Sequence, residues 1–142
     1  MIFKNISTET GQDLIFTNDR VASFLEHHLG RFGDKKEDIL ACLSYVFAKG
    51  GFIVLAVEET EILGAVVVNE TGMKKYIPEN ILVYIAVHEN MRGKGLGKSL
   101  MEKTIETAKG DVALHVEADN PAKKLYERLG FSNKYLEMRL QR

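Results

Sequence analysis

The stretch from Ile81 to Ser99 constrains what this chain can fold into more than any other. Ile81–Val87 (ILVYIAV) is apolar almost throughout, the pattern of a strand covered on both faces. It leads through His88 into a turn dense in glycine and positive charge, Met91-Arg92-Gly93-Lys94-Gly95-Leu96-Gly97-Lys98-Ser99. Leu96, Leu100, Met101, Ile105 and Ala108 then recur at helical spacing, with Gly110 just past the end. A doubly covered strand feeding a helix demands a layered α/β domain. Glycines let the backbone approach a ligand closely. The free N–H groups and dipole at the start of a helix make a seat for phosphate oxygens. Arg92, Lys94 and Lys98 add positive charge to that seat; without a ligand the same residues would read as a solvated surface turn.

The rest of the chain fits the layered reading. Ile2–Ile6 predicts a short first strand. Val21, Phe24, Leu25, His28 and Leu29 give a helix that stops at Gly30. Asp34 and Glu37 resemble a capping box for a second helix, whose apolar face is Ile39, Leu40, Leu43, Val46 and Phe47. The period then changes. Phe52–Val57 and Ile62–Val68 are rich in β-branched residues and read as a hairpin. Beyond the glycine-rich turn and its helix, Val112–Val116 predicts a strand. Asn120-Pro121 opens a fourth helix ending at Gly130, and Tyr135–Leu140 predicts a last strand. At 142 residues the chain is expected to form one domain, 1–142.

Several function classes are disfavoured. A formal net charge of −1 argues against a nucleic-acid binder, which needs an excess of Lys and Arg. No apolar run approaches the roughly 20 residues that span a bilayer, and Met1-Ile2-Phe3-Lys4 does not open a signal peptide. A cytoplasmic protein that does not enter membranes is expected. The single cysteine, Cys42, reads as a small core residue. His27 and His28 are adjacent on a helix and so do not offer two ligands on one face; no metal site is expected. Gly97-Lys98-Ser99 copies the end of a nucleotide-binding P-loop, but Arg92 stands where its leading glycine is required. A dinucleotide fingerprint fails as well, because Lys98 occupies its third glycine position.

A third pattern fits. Arg92-x-x-Gly95-x-Gly97, following Ile85-Ala86-Val87, resembles the acyl-coenzyme A loop of the GNAT superfamily of N-acetyltransferases. Asp119-Asn120-Pro121-Ala122-Lys123-Lys124-Leu125-Tyr126-Glu127-Arg128-Leu129-Gly130-Phe131 is similar to that family's closing motif. The resemblance is strongest from Ile81 to Phe131. It implies an α/β (α+β) fold with a mixed, mostly antiparallel central sheet and helices on both faces. It also implies acetyl transfer from acetyl-coenzyme A to a primary amine, with no metal, and allows a homodimer. A coenzyme-A-binding sensor without turnover is the alternative.

The resemblance also assigns roles. Backbone amides of Arg92, Gly93, Lys94, Gly95, Leu96, Gly97 and Lys98 would hold the coenzyme's pyrophosphate, and the backbone of Ile85, Ala86 and Val87 its pantetheine arm. Asn120 would contact the coenzyme, with helix capping as its other use. Tyr126 would be the general acid at the thioester sulfur; otherwise it is an aromatic anchor for the fourth helix. An amine with a lysine-like pKa is neutral in fewer than about one molecule in a thousand at pH 7, so a base is needed. Ile81 stands where many relatives carry a glutamate, which leaves Glu79, His115 or ordered water for that role. Few residues separate Phe131 from Met138 where many relatives have a longer hairpin, so one wall of the acceptor site is expected to be low.

Overall fold

The computed structural model describes residues 1–142. In chain order the elements are β1 (Ile2–Ile6), α1 (Asn18–Leu29), α2 (Lys36–Ala48), β2 (Gly51–Glu58), β3 (Glu61–Glu70), β4 (Asn80–Val87), α3 (Leu96–Thr107), β5 (Val112–Leu114) and α4 (Ala122–Arg128). Single 3-10 turns at Gly30–Phe32 and Glu89–Met91 follow α1 and β4. The sheet runs β1-β2-β3-β4-β5, antiparallel except for the parallel pair β4–β5. A parallel pair needs a crossover connection, and α3 provides it.

Both faces of the sheet are covered. Ile53, Leu55 and Val57 on β2 face α1 and α2, where Leu25, Ile39, Leu43 and Val46 are fully buried. The alternate residues Phe52, Val54 and Ala56 face Leu96, Leu100 and Met101 of α3. Side chains alternate between faces along a strand, so a strand with two covered faces must be apolar at every position. That is why β2 and the middle of β3 read as unbroken apolar runs.

One irregularity in β4 positions everything that follows. Val67 pairs with Tyr84 but Val68 pairs with Leu82, so Val83 is an extra residue in the ladder. Such a bulge bends its strand and increases the local twist. It also inverts the alternation: Leu82 packs on the α3 side, whereas Tyr84 and Ala86 turn to the α1–α2 side. Pairing with β5 stops at the bulge, covering only Asn80↔Val112 to Leu82↔Leu114. Below it the two strands are clamped. The buried Asn80 side-chain amide donates to the carbonyls of Lys109 and Asp111 at 2.8 and 3.2 Å. The result is a wedge, closed at the start of β4 and open at its end.

Three expectations are corrected. Asp34 does not cap α2: the helix begins at Lys36, and Lys35 at its N-cap makes no side-chain capping bond. The Lys36 amide is instead satisfied by the Glu26 carboxylate at 2.8 Å. β5 stops at Leu114 rather than Val116, because its neighbour bends away there. The expected last strand is absent. Residues 132–142 lie in no strand and make no backbone hydrogen bond to the body, and Leu136 and Met138 are 83% and 92% exposed. A further strand needs an edge to pair with, and the three residues of β5 are too short a template.

Candidate active site

The glycine-rich turn sits at the open end of the wedge. Gly93 and Gly95 have φ of +77° and +81°, a left-handed conformation that costs glycine nothing. Gly95 is the N-cap of α3. From Gly93 to Lys98 no amide donates to any backbone or side-chain acceptor of the chain, and the first intrahelical bond is Ser99 N–H to the Gly95 carbonyl. Successive free amides in such a turn form a concave anion site, reinforced by the positive end of the helix. Lys94 and Lys98 have no ion-pair partner, so the turn carries two unneutralised positive charges. The Arg92 side chain is used differently: its guanidinium donates to the carbonyl of His28 at 2.9 Å.

Between the diverging ends of β4 and β5 lies a cleft of about 650 Å³. Its walls are Leu82–Ile85 of β4, Leu114–Glu117 of and after β5, Asn120 and Tyr126, with Leu29, Phe32 and Asp34 on the α1–α2 side and Glu137, Arg139 and Gln141 from the C-terminal segment. Arg31 pairs with Asp119 at 3.0 Å and so links the α1–α2 connection to the segment before α4.

Tyr126 is 6% exposed, its ring packed within the α3-side core. Its hydroxyl has no hydrogen-bond partner, yet no buried side-chain polar atom of the chain lacks one, so this oxygen opens into the cleft. Burial pushes the phenol up to about 12, which keeps it protonated at neutral pH. Asn120 lines the cleft as well, but its side-chain oxygen accepts from the Ala122 amide at 3.0 Å and thereby starts α4. His115 and Glu117 reach the cleft from the stretch after β5. Glu79 does not. It precedes β4 at the closed end, where its carboxylate faces the Gly110–Asp111 turn and accepts from the Asp111 amide at 3.4 Å. Ile85 faces the cleft, and from Tyr84 to Val87 the β4 edge has no β5 partner.

Sequence reasoning missed the pair Tyr84–Asp34. The Tyr84 hydroxyl donates to Asp34 Oδ2 at 2.5 Å across 50 positions, inside the cleft. Burial and the adjacent carboxylate both push the Tyr84 phenol upward. Burial pushes the Cys42 thiol up to about 12, and it donates to Asn69 Oδ1 at 3.3 Å.

The sequence profile of the acetyltransferase (GNAT) family matches residues 16–131, which takes in the turn, the wedge and Tyr126. The chain belongs to the GNAT family of acetyltransferases. It is 37% identical over 84 residues to a 5-NmdU N-acetyltransferase of Pseudomonas phage PaMx11, a match covering 58% of each chain. It is 47% identical over 53 residues to a mycothiol acetyltransferase of Corynebacterium aurimucosum, covering 34% of this chain and 17% of that protein. The chain thus matches less than two thirds of the length of either curated relative. A ribosomal-protein-alanine N-acetyltransferase from Brucella melitensis has the same fold, with a TM-score of 0.67 at 13% identity over 99% of this chain and 98% of the other. Members of the GNAT family transfer acyl groups, and acetyl-coenzyme A is the family's general cosubstrate. No helix is long and apolar enough to cross a membrane.

Proposed function

We propose that this enzyme moves an acetyl group from acetyl-coenzyme A to a primary amine, acting in the cytoplasm. The observation that carries the reading is the run of unspent amides from Gly93 to Lys98, which follows β4, the strand whose unpaired edge walls the cleft lined by Tyr126. A coenzyme with a pyrophosphate at one end and a narrow arm at the other suits an anion seat beside an unpaired strand edge. Glycine-mediated free amides, Lys94 and Lys98 would hold the phosphates. The unpaired edge of β4 from Tyr84 to Val87 would hydrogen-bond the amide-bearing arm, as a neighbouring strand would.

Bound acetyl-coenzyme A supplies an acyl group already activated as a thioester. A C–N bond forms as the C–S bond breaks. An amine arriving as its ammonium form gives up two protons, one to the sulfur and one to solvent. The chain's share is orientation and proton management. Tyr126 stays protonated at neutral pH and would offer a hydrogen bond where negative charge develops on sulfur. His115, which lines the cleft with Glu117, would relay the amine's proton outward. Glu79, turned to the closed end, has no part in this reading.

The two curated relatives carry names with different acceptors, which supports acetyl transfer but not one substrate. The test is thiol release from acetyl-coenzyme A against polyamines, aminoglycosides, amino acids and peptides. Turnover with at least one amine is expected. Tight coenzyme binding with no thiol release from any of them would assign the chain to the sensor class instead.

A further inference from the structure

We infer that Asp34 is the group that receives the acceptor's charged amine, held in place by Tyr84; the inference rests on the acetyl-transfer reading and names its acceptor as a cationic primary amine with an apolar body. Asp34 stands two residues before α2 and would ordinarily be consumed by that helix. It is not, since Lys35 occupies the N-cap without a side-chain bond. Neither neighbouring lysine neutralises it: Lys35 pairs with Glu37 at 2.7 Å and Lys36 with Asp19 at 2.8 Å. One carboxylate oxygen is fixed by the Tyr84 hydroxyl, and the other makes no hydrogen bond. A carboxylate with one oxygen anchored and one open, with no cation, lining a cleft of substrate size, is half of a salt bridge.

Its location gives it meaning. Tyr84 is the first residue after the bulge, and its side chain turns to the α1–α2 side while Ile85 packs with the α3 side. Tyr126 belongs to the α3-side core. The reacting carbonyl, seated against the unpaired β4 edge, would therefore have the sulfur's donor on one side and Asp34 on the other. The amine adds to one face of the planar carbonyl, the C–S bond breaking as the tetrahedral adduct collapses. Asp34 would anchor the incoming amine's body on the side away from the sulfur's donor. Leu29 and Phe32 flank Asp34 in the cleft wall and offer apolar surface to whatever carries the amine. Tyr84 is 8% exposed and its hydroxyl is spent on Asp34, so it is a positioning residue. Asp34 itself binds and orients. The amine's proton would leave by His115 or water.

The experiment uses the full chain saturated with coenzyme A and phenethylamine as the probe, read by saturation-transfer NMR. Acetyl-coenzyme A turnover is followed separately by thiol release, so the acetyl-transfer reading stands or falls on its own measurement. Phenethylamine is expected to bind the wild type, and 3-phenylpropanoate, with the same ring but a negative charge, is not. Asp34→Asn should weaken phenethylamine binding at least tenfold with coenzyme A affinity and melting temperature unchanged, and Asp34→Glu should restore part of it. Tyr84→Phe keeps the ring and is expected to weaken amine binding less than Asp34→Asn does. Equal phenethylamine affinity in wild type and Asp34→Asn would overturn the inference, as would a wild type that binds no amine or prefers the anion.

Discussion

The guanidinium of Arg92 donates to the carbonyl of His28 at 2.9 Å, tying the glycine-rich turn to the last turn of α1 across 64 positions. The bond satisfies a carbonyl at a helix C-terminus, where a cation is also favoured by the helix dipole. Arg92→Glu removes the tie and places a negative charge beside the anion seat. Coenzyme affinity should fall through repulsion, while the lost charge-assisted bond to His28 should cost about 1.5–3 kcal/mol of stability. Calorimetry with coenzyme A checks it, and an unchanged affinity would remove the turn from pyrophosphate binding.

Gly95→Val should act on the same seat through the backbone. An added Cβ at Gly95 would meet nothing within 4 Å, so crowding within the free protein is not the cause. The cost lies in φ of +81°, which a β-branched residue resists by about 1–3 kcal/mol. The turn is expected to relax and turn its amides away from a common centre. Coenzyme titration should show weaker binding, while far-ultraviolet dichroism reports an intact fold.

Tyr126→Phe separates chemistry from packing with unusual clarity. The hydroxyl makes no hydrogen bond in the folded chain, so its removal leaves the ring's packing and the melting temperature essentially as they are. Loss of a donor at the leaving sulfur should slow turnover by about 10²–10⁴, with little change in coenzyme affinity. Thiol release from pH 6 to 9 is the measurement. A wild-type rate over that whole range would take Tyr126 out of the mechanism.

The histidine stack predicts a pH dependence of stability. His28 lies between His27 and His88, with ring centroids 4.6 and 4.5 Å away. Burial first, then His88, His27 and Arg92, hold its imidazole below the ordinary histidine value, against a smaller opposing effect of Glu89. The unfolded chain titrates near the ordinary value, about 6.5, and so binds more protons than the folded chain below it. The sign follows: the contribution is complete above about pH 6.5 and is lost as pH falls through the folded value. Urea midpoints should drop between about pH 7.5 and 5, and drop less in His28→Gln.

The turn and the helix after it were legible in the sequence because glycine, lysine and a period of 3.6 announce themselves locally. The bulge was not. In an apolar run such as ILVYIAV every residue suits either face, so inserting one leaves no trace in the pattern, and the direction of Tyr84 cannot be read. Asp34 was misread for a related reason. The same Asp with Glu three residues later serves a helix cap or a remote tyrosine, and only the packing of β4 against the α1–α2 side decides. The expected strand at Tyr135–Leu140 has the right alternation but lacks an edge to join, a property of β5 and not of its own residues. Glu79 lies on the expected strand face by counting, yet sits beyond the clamp made by Asn80.

Val83 has one further consequence. It is 38% exposed and contributes little to either core, so its chemical identity is almost free. What matters is that it is there. Deleting it would restore a regular ladder, with Leu82 and Tyr84 still on opposite faces, and let β4 continue alongside β5. The gap that admits a substrate is thus written in the length of the chain, one residue long. Insertions and deletions are the genetic events able to open or shut it, while substitutions in the walls are left free to change which molecule enters.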